Sequence, residues 1–354
     1  MIVLREATAA ELAGWDELVR RFPNHRVVHV RAWSEFLEAA RCGRPLYLVA
    51  ERGGEIVAAL PGLLTRLGAL TLYGSPLPGW QTVSMGPAFD PARVSTRELC
   101  GALLPFLETR YGVAHLELVS TDLDAGTMTE LGFEEEMVPT YRAPLYPSDE
   151  TRTLRSFKES ARRNVKRAAK LGLQVRFEED EAFAAEHYEQ LKEVYVRGGN
   201  VITFDQERVR LCFRHMQDAG RLIAVSVYLP DGTTNIATGM FLVEGKELLL
   251  WTWAHRTSAR WYRPTELMTW TVIQRALAAG CETFDFMGLG DFKAKFGAEL
   301  DTTKRRWRRS RYRWLRAARS FAERGYRFQQ AVRGRLARLM APAVSGNGEG
   351  EPES

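Results

Sequence analysis

Hydrophobic spacing in the second half of the chain predicts a helix, a buried strand and a tight turn in succession. Residues 265–279 carry apolar side chains at helical spacing, and Gly280 follows as a helix end. Residues 282–287 read as a buried strand, which Gly288 and Gly290 close. A lysine between two aromatic side chains comes next, in the order Phe292, Lys293 and Phe296. This succession predicts a cation at the end of a core strand.

A comparable order of strands and helices runs through both halves and predicts two similar domains. In the first half it ends with a strand near Leu145, and in the second half it opens with a helix over about 150–171. Prolines and the capping residues 148–150 separate the halves, so we place a boundary near residue 148. The predicted divisions are a first domain over 1–147, a second domain over 148–313, a basic amphipathic helix over 314–340 and a disordered tail over 341–354.

Composition and charge favour a globular protein of the cytoplasm. Of the 354 residues, 45% are hydrophobic and 26% charged, and the net charge is +5. No stretch approaches the roughly 20 apolar residues of a membrane span, and the acidic N-terminus does not fit a signal peptide. The cysteines (Cys42, Cys100, Cys212 and Cys281) lack zinc spacing, so we expect reduced thiols and no metal. Peripheral contact with the inner membrane face is compatible with these features.

Two blocks of sequence, about a hundred residues apart, carry a family resemblance. Residues 278–297 read AAG-x-x-x-FDFMG-x-x-DFKAKFG, and residues 156–167 read SFK-x-S-x-RRNVKR. The first block resembles the C-terminal signature of the Fem-type peptidyltransferases, a tandem-domain branch of the GNAT acyltransferase superfamily. The second block is similar to the basic helix that opens the second domain of that family.

The resemblance implies both a fold and a reaction. The fold class is α/β (α+β), with two tandem GNAT-like domains, each a twisted mixed, mainly antiparallel sheet flanked by helices. The reaction is transfer of an aminoacyl or acyl group to an amine of a cell-envelope precursor of the peptidoglycan type. The acyl donor would be aminoacyl-tRNA or an acyl-CoA, and no cofactor would be bound tightly. Because the sequence shows no recognisable Ser-His-Asp or Cys-His arrangement, we expect the acceptor amine to attack the donor directly, without an acyl-enzyme.

The candidate catalytic residues lie in the second half. Lys293 matches the family lysine that contacts phosphate or stabilises developing charge, and Lys295 is its neighbour. Asp285 is either a base near the cleft or a buried carboxylate bonded to the backbone, and we favour the second role. His255 ends a strand, and Tyr262 follows in the next loop. Either residue could relay a proton, although each is more often a packing or positioning residue.

The loop over 255–264 is the candidate phosphate site of the donor. A GNAT core usually carries a glycine-rich turn here, but this loop contains no glycine. Its arginines suit phosphate because a guanidinium forms bidentate contacts; they are Arg256, Arg260 and Arg263. The family block adds further donor-site candidates, which are Phe292, Lys295, Phe296 and Gly297.

Two cationic segments point to anionic partners. The helix over about 150–171 has a polar face of almost one sign, with Lys158, Arg162, Arg163 and Arg167 as candidate contacts to an anionic substrate. Residues 304–340 begin with KRRWRRSRYRWLR. The family resemblance implies that residues 304–313 begin as the last strand of the second core. This segment suits an anionic membrane surface or an RNA backbone. Plain solvation or packing is the alternative for both segments.

Two other functions remain compatible with the sequence. One is an acetyltransferase of polysaccharide or lipid biosynthesis that uses acetyl-CoA or a longer acyl-CoA. The other is a non-catalytic module that binds RNA through its basic surfaces.

Overall fold

A computed structural model describes residues 2–312 together with residues 314 and 315. In this part of the chain the strands form two mixed sheets, and helices flank both. The predicted fold class, two sheet-and-helix units of α/β type, is therefore confirmed. The basic helix predicted over 314–340 lies almost wholly outside the described residues, and the tail predicted over 341–354 lies entirely outside them.

Most of the predicted elements are present, although the helix predicted over about 150–171 is broken in two. The strands are β1 (Val3–Glu6), β2 (Arg44–Arg52), β3 (Glu55–Leu67), β4 (Leu70–Ser75), β5 (Ala88–Phe89), β6 (Val113–Ser120), β7 (Glu134–Met137), β8 (Thr140–Pro144), β9 (Gln174–Glu178), β10 (Leu222–Tyr228), β11 (Asn235–Glu244), β12 (Glu247–His255), β13 (Thr283–Asp285), β14 (Glu299–Asp301) and β15 (Arg305–Ser310). The helices are α1 (Ala9–Ala13), α2 (Trp15–Arg20), α3 (Arg31–Ala39), α4 (Thr96–Tyr111), α5 (Ala125–Glu130), α6 (Glu150–Ser156), α7 (Glu159–Lys170), α8 (Phe183–Arg197), α9 (Gln206–Asp218) and α10 (Pro264–Ala278).

The break between α6 and α7 has a packing cause. Phe157 is extended, with ψ 145°, and its side chain is 2% exposed. Its ring meets Trp270 and Phe296 edge-on, with centroids 5.6 and 5.4 Å apart. The single helix predicted over about 150–171 therefore divides, because Phe157 leaves the helix path to fill the core.

Each sheet receives one strand from the other half of the chain. The first sheet has the order β1-β2-β3-β4-β6-β15-β7, with β5 beside β3, and the second has the order β14-β8-β13-β12-β11-β10-β9. Thus β8 leaves the first half for the second sheet, and β15 returns to the first. The predicted boundary at residue 148 does not follow the sheets. The prediction that residues 304–313 begin as the last strand of the second core is wrong.

Complementary charge explains why β15 joins the first sheet. Its sequence is RRWRRS, and the adjacent β7 reads EEEM. The arginines pair with acids of the first half, including Arg306 with Glu117 at 2.7 Å and Arg309 with Glu108 at 2.6 Å. Trp307 between them is fully buried in the first core. The predicted membrane contact through residues 304–340 is therefore corrected for this strand, whose cations are neutralised within the fold.

A shared apolar core joins the two halves. Trp33 and Phe36 of α3 pack in one cluster with Trp251 of β12 and Phe204. The Phe36 and Trp251 ring centroids are 6.1 Å apart, and Trp251 Nε1 donates to the Gln81 carbonyl at 3.1 Å. Separating the halves would expose these large side chains to water, so the core holds the two sheets together.

No helix in the part of the chain that the structure describes is both long enough and apolar enough to cross a bilayer.

The placement of β15 predicts a large stability effect at Trp307. Trp307→Ala should lower the free energy of unfolding by about 3–5 kcal/mol, because it empties a fully buried site. Trp314→Ala removes the same side chain from a position that is 58% exposed, and it should cost less than about 1 kcal/mol. Urea unfolding followed by circular dichroism measures both. Equal, small effects would contradict the burial of β15 in the first core.

Candidate active site

Two parallel strands separate near the centre of the second sheet. The paired residues of β12 and β13 end at Leu249 and Asp285, where β13 stops. β12 continues to His255, and α10 begins shortly afterwards at Pro264. A cavity of about 660 Å³ lies at this opening, between the end of β12, the first turn of α10 and the loop after β13.

The cavity has a predominantly cationic polar lining. The polar lining residues are Arg197, His255, Arg260, Arg263, Thr265, Glu266, Lys293 and Lys295. Apolar walls come from Val194, Trp253, Pro264, Leu289 and Phe292. Five arginines and lysines therefore meet one carboxylate, that of Glu266. Such a lining favours phosphate groups and negative charge that develops during a reaction.

A tight turn after β13 positions Lys293. Met287 has φ 50°, in the left-handed region that non-glycine residues seldom occupy, and Gly288 and Gly290 follow with φ 86° and 144°. The turn directs carbonyl groups at the ammonium, since Lys293 Nζ donates to Met287 O at 2.9 Å and Gly288 O at 3.2 Å. An ammonium has three N–H donors, so one is left for a group in the cavity.

Burial changes the acid–base behaviour of Lys293. The residue is 9% exposed. Burial lowers the pKa of Lys293 to about 8, and the negative charge of Asp285 partly opposes this shift. The ammonium form therefore prevails at neutral pH, with a positive charge that is poorly solvated and faces the cavity.

Asp285 stabilises this turn through buried hydrogen bonds and does not line the cavity. Its Oδ2 accepts from Lys304 Nζ at 3.1 Å, and its Oδ1 accepts from Thr140 Oγ1 at 2.6 Å and Met287 N at 2.8 Å. Thr140 Oγ1 in turn accepts from Gly288 N at 3.1 Å. Burial opposes ionisation, but Lys304 and these hydrogen bonds lower the pKa of Asp285 below its ordinary value. The geometry supports the structural role that we favoured, not a catalytic one.

His255 reaches the cavity, but Arg197 engages its accepting nitrogen. Arg197 donates to His255 Nε2 at 3.2 Å, and the Thr265 hydroxyl lies 3.5 Å from Nδ1. Because arginine only donates, Nε2 carries the lone pair and Nδ1 the proton. Burial, together with Arg197 and Arg260, lowers the pKa of His255 to about 4. The neutral imidazole therefore positions Arg197, and its lone pair is not free to accept a proton from substrate.

The loop after β12 divides its arginines between two roles. Arg260 and Arg263 line the cavity, as predicted for donor binding. Arg263 precedes α10 with φ 58°, and its buried Nε has no hydrogen-bond partner among the described residues. Arg256 does not reach the cavity, because its guanidinium pairs with Glu186 at 2.6 Å and also with Glu193.

Several predicted residues lie outside the cavity lining. Phe296 is fully buried and stacks on Phe286, with ring centroids 5.8 Å apart. At Gly297, φ is 73°, and a Cβ would lie 2.6 Å from Ser156 Oγ, so only glycine fits. Tyr262 packs beside Trp261 and the second core. The donor contacts predicted for Phe296 and Gly297 are corrected, because neither residue lines the cavity, and the proton relay predicted for Tyr262 gains no geometric support. Phe292 and Lys295 do line the cavity.

The basic helix α7 borders the cavity. The Lys158 backbone N–H donates to a carbonyl of the loop after β13 at 2.9 Å. Arg162 is structural, since it donates to two carbonyl groups at the end of α6 at 2.9 and 2.7 Å. Arg163 lies 3.7 Å from an exposed glutamate one turn earlier, and the Arg167 guanidinium lies 4.4 Å from the Trp261 ring centroid. Of the predicted anion contacts, Lys158, Arg163 and Arg167 are exposed.

Sequence reasoning missed Glu266 and Arg197. Glu266 is 2% exposed in the first turn of α10, and Asn164 Nδ2 donates to its Oε1 at 2.9 Å. A sequence pattern can predict an acid in the first turn of a helix, but the direction of the Glu266 side chain into the cavity depends on how α7 packs against α10. Arg197 comes from the end of α8, and no local pattern connects it with a site formed by later residues.

Comparisons with known proteins agree with this geometry. The acetyltransferase (GNAT) domain family model matches residues 155–299, which include every residue that lines the cavity. No curated protein matches the chain in sequence. The crystal structure of FemX is 14% identical, with 86% of this chain and 96% of that chain covered and a TM-score of 0.69.

Two further solved structures extend the likeness over both halves. A tandem GNAT protein from the clavulanic acid biosynthesis pathway is 12% identical, with 88% of this chain and 98% of that chain covered and a TM-score of 0.50. L-PGS from Bacillus licheniformis is 11% identical, with 87% and 93% covered and a TM-score of 0.52. The fold is that of tandem GNAT domains. The GNAT family match supports acyl transfer as the class of reaction, and membership of the Fem-type branch stays a prediction.

The buried ammonium of Lys293 predicts a pH dependence of stability. The pKa is about 8 in the folded protein and about 10.5 in an unfolded chain. Between these values the unfolded state binds more protons, so this residue should raise the free energy of unfolding by about 3 kcal/mol as pH rises through the window. Below it, both states are protonated and the contribution is constant. Urea unfolding of wild type and Lys293→Met across this range measures the difference, and parallel pH profiles would contradict the shift.

The buried pair of Asp285 and Lys304 predicts a strong single-variant effect. Asp285→Asn should cost about 3–5 kcal/mol of unfolding free energy, because Lys304 then keeps a buried charge without its counter-ion. Since the pKa of Asp285 is lowered, the stabilisation is complete above the unfolded pKa and is lost as acidification passes the folded pKa.

Combining Asp285→Asn with Lys304→Met should restore much of the loss, because no buried charge remains. Glu282→Gln is the matched control: it removes the partner of Lys246 in a pair whose side chains are 73% and 49% exposed, and should cost less than about 1 kcal/mol. Thermal unfolding compares the variants, and a loss for Asp285→Asn as small as that of the control would refute the coupling.

Proposed function

We propose that this protein is an N-acyltransferase that passes an aminoacyl or acyl group from a phosphate-bearing donor to an amine. The observation that carries the proposal is the cavity at the opening between β12 and β13, where five cations meet one carboxylate. It lies within the segment that matches the GNAT family model.

Arginines, not helix amides, are suited to hold the phosphates of the donor. The N-terminal turn of α10 lies at the cavity, but it is a poor phosphate site. Pro264 has no N–H to donate, and Glu266 places a negative charge in this turn. Arg260 and Arg263 stand beside this turn, and the unpaired buried Nε of Arg263 supports a ligand contact there. A guanidinium binds phosphate through two parallel hydrogen bonds.

Lys293 and Glu266 supply the two charges that the reaction needs. The neutral amine attacks the carbonyl carbon, and negative charge develops on the carbonyl oxygen. The free N–H of Lys293 stabilises that oxygen. Glu266 binds the incoming ammonium and accepts its proton. After the attack the nitrogen loses a further proton, the ester or thioester bond breaks, and the leaving oxygen or sulfur takes up that proton, so that the acyl group remains on nitrogen as an amide.

The cavity favours direct transfer. Among the described residues that line the cavity, Thr265 alone carries a hydroxyl group, and it faces Nδ1 of His255, the protonated nitrogen, which cannot activate it. Each of the four cysteines is buried, and none lines the cavity. An acyl-enzyme on serine, threonine or cysteine therefore has no activated nucleophile here.

The proposed acceptor is an amine of a cell-envelope precursor of the peptidoglycan type, with aminoacyl-tRNA as donor. The likeness to FemX and the block at 278–297 support this choice. The description of the family model as an acetyltransferase domain favours a second candidate, an acyl-CoA-dependent acetyltransferase of polysaccharide or lipid biosynthesis. Both candidates use the same cavity and differ in the group that carries the acyl chain.

Transfer of label tests the proposal. Labelled aminoacyl-tRNA and labelled acetyl-CoA are offered in parallel with envelope-precursor amines. Lys293→Met should lower kcat/KM by about 100-fold or more, because an oxyanion donor is lost. Glu266→Gln should lower it by a similar factor and shift the pH profile, because a proton acceptor is lost. Lys246→Met, in the turn before β12 and away from the cavity, should retain wild-type activity.

The outcome with each donor separates the candidates. Label from tRNA supports the peptidyltransferase, and label from acetyl-CoA alone supports the acetyltransferase. Incubation with donor but without acceptor should leave the protein mass unchanged. A stable acyl adduct would contradict direct transfer, and activity that survives both Lys293→Met and Glu266→Gln would remove the cavity as the active site.

A further inference from the structure

Large apolar side chains stand exposed around the cavity mouth. Leu289 is 63% exposed, Trp261 53% and Phe292 37%. Leu289 and Phe292 belong to the cavity lining, and Trp261 directly follows the lining residue Arg260. We call these three residues the apolar rim. Exposed apolar residues grouped around an opening indicate an interaction surface.

Exposed cations continue from this rim along α7. Arg163, Lys166, Arg167 and Lys170 are all exposed, and we call them the basic strip. The Arg167 guanidinium lies 4.4 Å from the Trp261 ring centroid, so strip and rim form one surface.

Negative charge on this surface is sparse. Glu159 is the one acid of α7 and lies 3.7 Å from Arg163. Asp291 of the rim loop faces the Tyr141 hydroxyl at 3.5 Å. Within the described chain, no carboxylate pairs with Lys166 or Lys170. The surface therefore retains a net positive charge beside its apolar rim.

We propose that this surface docks on an anionic phospholipid bilayer, with the apolar rim at the acyl boundary and the basic strip over the headgroups. The combination of apolar side chains and adjacent cations matches a bilayer, where both contribute to binding. Single-stranded RNA would match the cations with its phosphates and stack a base on Trp261, but it would leave Leu289 in water. The cavity then opens toward the leaflet. This orientation assigns the cavity an acceptor amine that is carried on a lipid, an inference that rests on the proposed acyl transfer.

Vesicle flotation with the full chain tests the docking. Wild type should float with vesicles that contain about one third phosphatidylglycerol and bind weakly to pure phosphatidylcholine. Lys166→Gln/Lys170→Gln should weaken binding by about 25-fold, since each basic residue contributes about fivefold. Leu289→Ser should weaken it by about 10-fold or more through loss of apolar burial.

Arg66 and Leu67 offer a matched control in the hairpin between β3 and β4 of the first sheet. Leu67 is 65% exposed, close to the value for Leu289, and Arg66 is exposed beside it. Arg66→Gln/Leu67→Ser therefore removes the same chemistry as Lys170→Gln/Leu289→Ser from a different surface. Only the second pair should lose vesicle binding. Equal vesicle binding by the two double variants would overturn the docking. So would a loss of binding to single-stranded RNA in Lys170→Gln/Leu289→Ser without a loss of vesicle binding.

Thermal stabilisation of wild type by donor, without vesicles, separates this inference from the proposed function. Donor stabilisation without flotation would overturn the docking alone. If wild type floats and Lys170→Gln/Leu289→Ser does not, the docking is supported even when no donor stabilises the protein. In that case the proposed acyl transfer is contradicted, and so is the assignment of a lipid-borne acceptor that rests on it.

Discussion

A buried ion pair between Asp285 and Lys304 joins the end of β13 in the second sheet to the segment that leads into β15 of the first sheet. Asp285 ends β13, Lys304 stands just before β15, and Thr140, at the start of β8, bonds to the same carboxylate. Thr140 and Lys304 stand at the two places where the chain passes between the sheets. Because the charges are 0% and 1% exposed, neither is tolerable without the other. The pair therefore couples the exchange of strands to the end of the strand that carries the candidate active site.

This coupling extends to the chemistry through two hydrogen bonds. Asp285 accepts from Met287 N, and Thr140 accepts from Gly288 N, so the turn after β13 is fixed from its buried side. The carbonyl groups of the same two residues then hold the Lys293 ammonium at the cavity. A charge held in this way needs little reorganisation when a substrate develops negative charge, which is the condition under which electrostatic stabilisation is most effective.

The chain uses its cations in three different ways. Those of β15 are neutralised by the acidic strand β7 and by Glu117, and they stabilise the first sheet. Among those of the cavity, Lys293 is buried and has a lowered pKa, and Arg263 is partly buried with a donor that has no partner among the described residues. The basic strip of α7 is exposed beside an apolar rim. Local sequence is similar in all three, since each is rich in arginine or lysine, so the role of each charge follows from what is packed against it.

Local sequence was sufficient to predict most of the helices and strands and the position of one candidate active-site residue, Lys293. The helix predicted over 265–279 corresponds to α10, and the strand, glycine turn and Lys293 follow as expected, because apolar periodicity and glycine conformations are local properties. Only the tertiary structure decided that β8 and β15 exchange sheets, that Arg260 and not Arg256 lines the cavity, and that Glu266 points into it. Strand partners and side-chain directions depend on packing and charge pairing between residues far apart in the chain, such as Arg306 with Glu117 and Asn164 with Glu266, and one sequence does not reveal these pairs.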